Sequence, residues 1–200
     1  MKNDREYRSM ELRILPSEEE KSYKVEGYAS TFDTYVLLTM DGIDYSERID
    51  PTAFDDADLS DVVFRVDHQG AVYARTSAGT VSLDVDQHGL HNVTDLSRTA
   101  RSRELFEEIA AGNYPKMSFA FTVAEDGDEY DRATHTRIIH RVAKVFDISP
   151  VSFPANPNTE LSISTRDYFD GVIEAEKAER LEAEARERQK QRIRILTEVS

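Results

Sequence analysis

Three residues of this 200-residue chain have the types and settings from which a hydrolytic site could be built. Ser118 follows Gly112, Asn113 and Pro115 and sits one residue into the apolar run MSFAF. If that run is a strand, Ser118 and Ala120 share one face and Met117, Phe119 and Phe121 share the other, so a small-residue face is left for a substrate backbone. His68 comes directly after an apolar strand in VVFRVDHQ. Asp147 lies between Phe146 and Ile148, where burying a carboxylate is costly without a partner. A serine hydroxyl is a poor nucleophile until an imidazole takes its proton, and a third group then fixes the imidazole's tautomer. Each residue also has a plainer reading: a buried serine bonded to a backbone carbonyl, a surface turn histidine, and an aspartate paired with Arg141 or Lys144. Spacing alone says only that each lies at or near a strand end.

The other histidines offer less. His88 and His91 form an H-x-x-H pair, the starting point for a metal-dependent hydrolase. They fall in a predicted hairpin, however, where residues three apart point to opposite faces. The expectation is solvated turn histidines and no metal. His135 lies in a polar loop and reads as solvated, and His140 reads as a half-buried strand residue.

The elements that must position these residues are mostly short strands. Alternation or apolar runs mark Ser22 to Phe32, Val62 to Val66, Thr80 to Val85, Leu90 to Leu96, Met117 to Val123 and Thr136 to Ile148. The turn DQHG makes a hairpin of the third and fourth, and a second hairpin is expected around the loop 125–134. Arg101 to Ala111 puts Leu105, Phe106, Ile109 and Ala110 on one helical face, with Gly112 at the stop position. Short strands with a helix or two predict an α+β fold, a small barrel or strongly curved sheet with helices packed on it.

Composition changes once, near Asp167. Beyond it the chain has no proline and one glycine, and is rich in Ala, Glu and Arg. Strong helix formers predict one long C-terminal helix with Asp167 as its N-cap, so the chain divides into a globular domain, 1–166, and a charged helical tail, 167–200. The tail's apolar residues are too sparse for a core-facing stripe. It holds nine acidic and seven basic residues, so most of the net charge of −14 belongs to the globular part.

That acidity argues against nucleic-acid phosphates and anionic membrane surfaces as partners. The absence of cysteine removes disulfides, thiolate nucleophiles and iron–sulfur clusters. There is no run of about 18 apolar residues to span a membrane and no signal-peptide core at the N-terminus, so the protein is expected to act where it is made or inside something assembled there.

In order and spacing, VEGYASTF, ERIDPTAF, VVFRVDHQ, GTVSLDVDQHGL, ELFEEIAAGNYPKMSFAF and VFDISPVSFPANPN resemble the prohead maturation proteases of tailed phages, over roughly residues 22–164. That family is similar to the herpesvirus assemblins, whose fold is a small curved β-barrel surrounded by helices. The resemblance implies that Ser118 is the nucleophile, His68 its general base and Asp147 the third member, with His140 the runner-up for that role. It implies a serine endopeptidase that needs no cofactor. Its substrates would be the scaffold or the scaffolding arm of the major capsid protein, and in part itself, inside the procapsid in the host cytoplasm, and it would work as a homo-oligomer. The oxyanion hole is expected near the last strand and its PANPN loop. Thr52, Lys116 and Gln69 depart from the family's usual residues, and Asp147 is shorter than the commoner glutamate. The competing reading is a catalytically inactive scaffolding module with the same fold.

Overall fold

The computed structural model describes residues 5–14, 22–152 and 163–198. The backbone falls into two compact units, one up to residue 162 and one from Ile163 onward.

In the first unit, the strands run in the order β1 (Glu6–Ile14), β2 (Lys24–Thr31), β3 (Tyr35–Met40), β4 (Ile43–Ile49), β5 (Val63–Val66), β6 (Gln69–Arg75), β7 (Val81–Val85), β8 (Gly89–Asp95), β9 (Lys116–Val123), β10 (Asp128–Asp131), β11 (Thr136–Ile139) and β12 (Val142–Val151). Helix α1 (Ala100–Ala110) stands between β8 and β9. Eight strands form one sheet in the order β6-β5-β12-β9-β1-β2-β8-β7, and four form another in the order β10-β11-β4-β3. The α+β class expected from the sequence is what the chain adopts.

The large sheet is rolled. Laid flat, eight strands would span roughly 34 Å. Yet its two edge strands, β6 and β7, are consecutive in the chain and joined by a single 3₁₀ turn, Thr76–Ala78. The Thr80 amide donates to the Arg75 carbonyl at 3.2 Å, and the Arg75 amide to Thr80 Oγ1 at 2.9 Å, so the edges meet at one corner. β1 makes the bend: Glu6 to Glu11 pair with β9, whereas Leu12 to Ile14 pair with β2. Among the described residues no ladder joins β6 to β7, so backbone pairing does not close the sheet into the expected barrel.

The core fills the inside of the roll. Met117, Phe119 and Phe121 are fully buried there, as the alternation of β9 predicts, and the rings of Phe119 and Phe121 stack at 4.6 Å. Helix α1 starts at Thr99, whose side chain accepts from the Ser102 amide, and buries Leu105 and Ile109. Ala110 remains exposed, against expectation. Gly112, at φ +85°, ends the helix in the left-handed conformation that glycine adopts without strain. Gly89 opens β8 where any Cβ would collide with the Ser30 carbonyl.

The expected strand over 136–148 divides in two. β11 belongs to the small sheet and β12 to the large one, with His140 and Arg141 at the crossing. Gly127 fixes the break, since its carbonyl accepts from both amides, at 2.7 and 2.9 Å. The two sheets are also tied by a buried ionic cluster. Arg8 of β1 donates to Glu47 of β4 at 2.5 and 2.6 Å and to Glu6 at 2.8 Å; Arg137 of β11 reaches Glu6 at 2.7 Å and Asp128 at 2.6 Å.

The second unit is one helix, α2 (Ile163–Glu198), about 54 Å long at 1.5 Å per residue. It begins four residues before Asp167, which therefore lies within the helix instead of capping it. Exposed pairs such as Arg186–Glu182 and Arg188–Glu184 line it, and Leu181 is half exposed. No helix among the described residues is long and apolar enough to cross a membrane.

Candidate active site

Ser118, His68 and Asp147 meet on the face of the large sheet opposite the aromatic core. β9 and β12 run antiparallel with Ser118 facing Ser149 and Ala120 facing Asp147. β5 lies on the other side of β12, parallel to it, with Val63 beside Asp147. The serine and the carboxylate thus come from neighbouring strands. The histidine comes from the turn at the end of β5.

That turn is tight. β5 and β6 pair through Val66 and Gln69, leaving only Asp67 and His68 as the loop. Both have positive φ, +45° and +57°, as a type I′ hairpin turn requires. Asparagine and glycine are the usual occupants; left-handed residues with a Cβ cost about 1–2 kcal/mol each. The contacts of the tip with β12 offset this. The Asp67 amide donates to the Pro150 carbonyl at 3.2 Å, the Ser152 amide to Asp67 Oδ1 at 3.0 Å, and the His68 amide to Ser149 Oγ at 3.2 Å. From inside the hairpin, Arg65 Nη2 donates to the Gly70 carbonyl at 3.0 Å.

Held this way, the imidazole bridges the other two groups. His68 Nδ1 is 2.6 Å from Asp147 Oδ1, and His68 Nε2 is 2.8 Å from Ser118 Oγ. Ser149 Oγ donates to the same Asp147 oxygen at 2.8 Å. A carboxylate can only accept, so with Asp147 ionised the proton between it and the ring belongs to Nδ1. Nε2 then presents its lone pair to the Ser118 hydroxyl, the arrangement that proton abstraction needs. Ser118 and Asp147 are buried, at 2% and 1% exposure, and the imidazole is 17% exposed.

The plainer readings of these residues find other partners. Lys144 pairs with Asp58, and Arg141 donates to the carbonyls of Glu125 and Asp126, so neither engages Asp147. His140 sits between Glu129, at 3.1 Å, and Asp50, at 4.0 Å, rather than beside His68. His135 is not merely solvated: its Nδ1 lies 3.0 Å from the Tyr130 hydroxyl and its ring packs on Tyr45. His88 and His91 both pack against Tyr28, and His91 lies 3.5 Å from Glu26; no acidic–histidine cluster suited to a metal occurs among the described residues. The PANPN loop expected to hold oxyanion donors lies outside the described residues.

Sequence reasoning did not single out Ser149, Asp67, Ser152 or Arg65. The signal for Ser149 was present in D-I-S, because strand alternation puts residues 147 and 149 on one face. For the turn, D-H between two strand-like runs is a weaker cue than the usual N-G.

No curated protein and no solved structure matches the chain. A family model does, that of the caudovirus prohead serine proteases, over residues 9–171. That match spans most of the sequence, and the chain therefore belongs to the caudovirus prohead serine protease family, peptidases of phage capsid maturation.

Proposed function

We propose that this chain is an active serine endopeptidase in which Ser118 is the nucleophile, His68 the general base and Asp147 the residue that orients the base. The observation that carries this is the pair of bonds made by one ring, Nε2 to Ser118 Oγ at 2.8 Å and Nδ1 to Asp147 Oδ1 at 2.6 Å. As Ser118 Oγ attacks the scissile carbonyl, its proton passes to His68 Nε2. The resulting imidazolium is stabilised by Asp147 and returns the proton to the leaving amine. Water then repeats the cycle on the acyl-enzyme. The rolled sheet serves as the barrel of this fold, its edge strands β6 and β7 joined at the Thr76–Ala78 corner.

The substrates are the scaffold or the scaffolding arm of the major capsid protein, and the chain itself, cut inside the procapsid in the host cytoplasm. Residues 1–166 form the protease domain, which works as a homo-oligomer. The charged helical tail, 167–200, is a packaging handle, a fused scaffold remnant or a self-cleavage target. This reading is supported by the family match and by the helix's solvated, ion-paired surface.

The test is procapsid maturation with Ser118→Ala. Turnover is expected to fall by about 10⁴-fold, leaving uncut scaffold and capsid arms in the particles. Normal maturation by this variant would instead identify an inactive scaffolding module. A truncation after Arg166 that still enters procapsids and matures them would dispose of the handle.

A further inference from the structure

Ser149 makes two bonds that join the two supporting parts of the site. Its hydroxyl has one proton to give, and Asp147 Oδ1 lies 2.8 Å away as an obligate acceptor when ionised, so the proton goes there. Its remaining lone pairs face the backbone, where the His68 amide donates to it at 3.2 Å. One side chain thus links the carboxylate to the main chain of the base. Other contacts already hold each part, the Asp147 bond to the imidazole and the Asp67 bonds to Pro150 and Ser152. Ser149 adds to them a single tether between the carboxylate and a two-residue hairpin tip whose residues both have positive φ.

Ser149 is fully buried and stands directly across the β9–β12 ladder from Ser118. A substrate carbonyl approaching Ser118 Oγ has no route to the Ser149 hydroxyl, whose proton is already committed. Any effect of Ser149 on turnover therefore passes through Asp147 and His68.

We propose that Ser149 is a positioning residue for the hydrolytic reaction, holding Asp147 and the left-handed His68 turn in one geometry so that Nε2 stays within reach of Ser118. The inference rests on the catalytic reading of Ser118, His68 and Asp147 given above. Misplacing a catalytic group by about 1 Å can cost roughly 10²-fold in rate, so the expected loss on removing the hydroxyl is about 10- to 100-fold.

The full chain would be treated with a fluorophosphonate, which labels a serine only when its proton can be taken up, and the second-order labelling rate would be measured. Ser149→Ala is expected to lower that rate by about 10- to 100-fold, with the circular dichroism spectrum unchanged. In an Asp147→Ala background the same change should cost less than about threefold, because residues acting as a unit are non-additive. A merely structural serine would cost the same factor in both backgrounds, and that result would overturn the proposal. If Ser149→Ala fails to fold, Ser149→Cys keeps the volume with a weak donor and is expected to lose rate in the same direction and with the same non-additivity. A Ser149→Ala or Ser149→Cys rate within twofold of the parent, while Ser118→Ala and His68→Ala abolish labelling, refutes the positioning role alone. Persistent labelling in Ser118→Ala refutes the catalytic reading on which it stands.

Discussion

Ser118 and Ser149 face each other across adjacent antiparallel strands, yet their hydroxyls have opposite fates. The Ser149 hydroxyl donates a hydrogen bond to Asp147, whereas the Ser118 hydroxyl lies against Nε2 of the imidazole. Only one of two buried serines a strand apart can be activated, so a serine-directed reagent discriminates between them. Peptide mapping after fluorophosphonate treatment should place the adduct on Ser118 and none on Ser149. An adduct on Ser149 would mean that the ring faces the other way in solution.

Two residues competed for the third role, and their partners separate them. Asp147→Asn keeps the shape but removes the obligate acceptor, so the ring can settle in the wrong tautomer. Turnover should fall by about 10⁴-fold, the scale of such a change in serine proteases generally. His140→Ala touches only the exposed contacts with Glu129 and Asp50, and should leave kcat/KM within about twofold. Steady-state kinetics on both variants decides it. A large loss in His140→Ala would reverse the assignment.

How much of this could be read beforehand follows from where the hydrophobic pattern is simple. β9 announced itself because Met117, Phe119 and Phe121 alternate cleanly with Ser118 and Ala120, and α1 because Leu105 and Ile109 repeat at helical spacing. β1 and β4 did not, because Glu6, Arg8 and Glu47 face inward as ion pairs, so their alternation looks like that of a solvated segment. The break at His140 is set by Gly127, thirteen residues away, and no local pattern records it. For the site, residue types and the family's order of segments were enough to name the three groups. Ser149 and the Asp67–His68 turn depend on a ladder register that one strand alone cannot specify.

The turn itself makes a stability prediction. Asp67 has φ +45° and accepts from the Ser152 amide, so it serves both backbone and side chain. Asn tolerates the left-handed region and keeps an acceptor; Asp67→Asn should unfold within about 0.5 kcal/mol of the parent. Asp67→Val is β-branched and has no acceptor, and should lose about 1–3 kcal/mol along with most activity. Urea denaturation with parallel labelling assays checks both. Equal stability of the two variants would show that the tip is not held as described.

The ionic cluster between the sheets predicts how the fold responds to acid. Burial alone would push the Glu6 carboxyl up, but the guanidinium groups of Arg8 and Arg137 beside it prevail and hold it below its ordinary value. A carboxyl lowered in the folded state stabilises the protein fully above its unfolded value, about 4.3. It gives up that stabilisation as the pH falls through the lower folded value. Urea midpoints should therefore hold steady from pH 7 to about 5 and drop below that, and Glu6→Gln should flatten the acid side of the curve. The same burial makes deletion of a partner severe. Glu47→Ala would leave the Arg8 guanidinium buried with its principal acceptor gone, and should cost about 3–5 kcal/mol at pH 7. Because β1 pairs with β9 along Glu6 to Glu11, that loss should loosen the strand that carries Ser118, and hydrogen exchange at 117–121 should rise with it. Unchanged exchange there, in a destabilised Glu47→Ala protein, would show that the cluster supports the second sheet without bracing the nucleophile's strand.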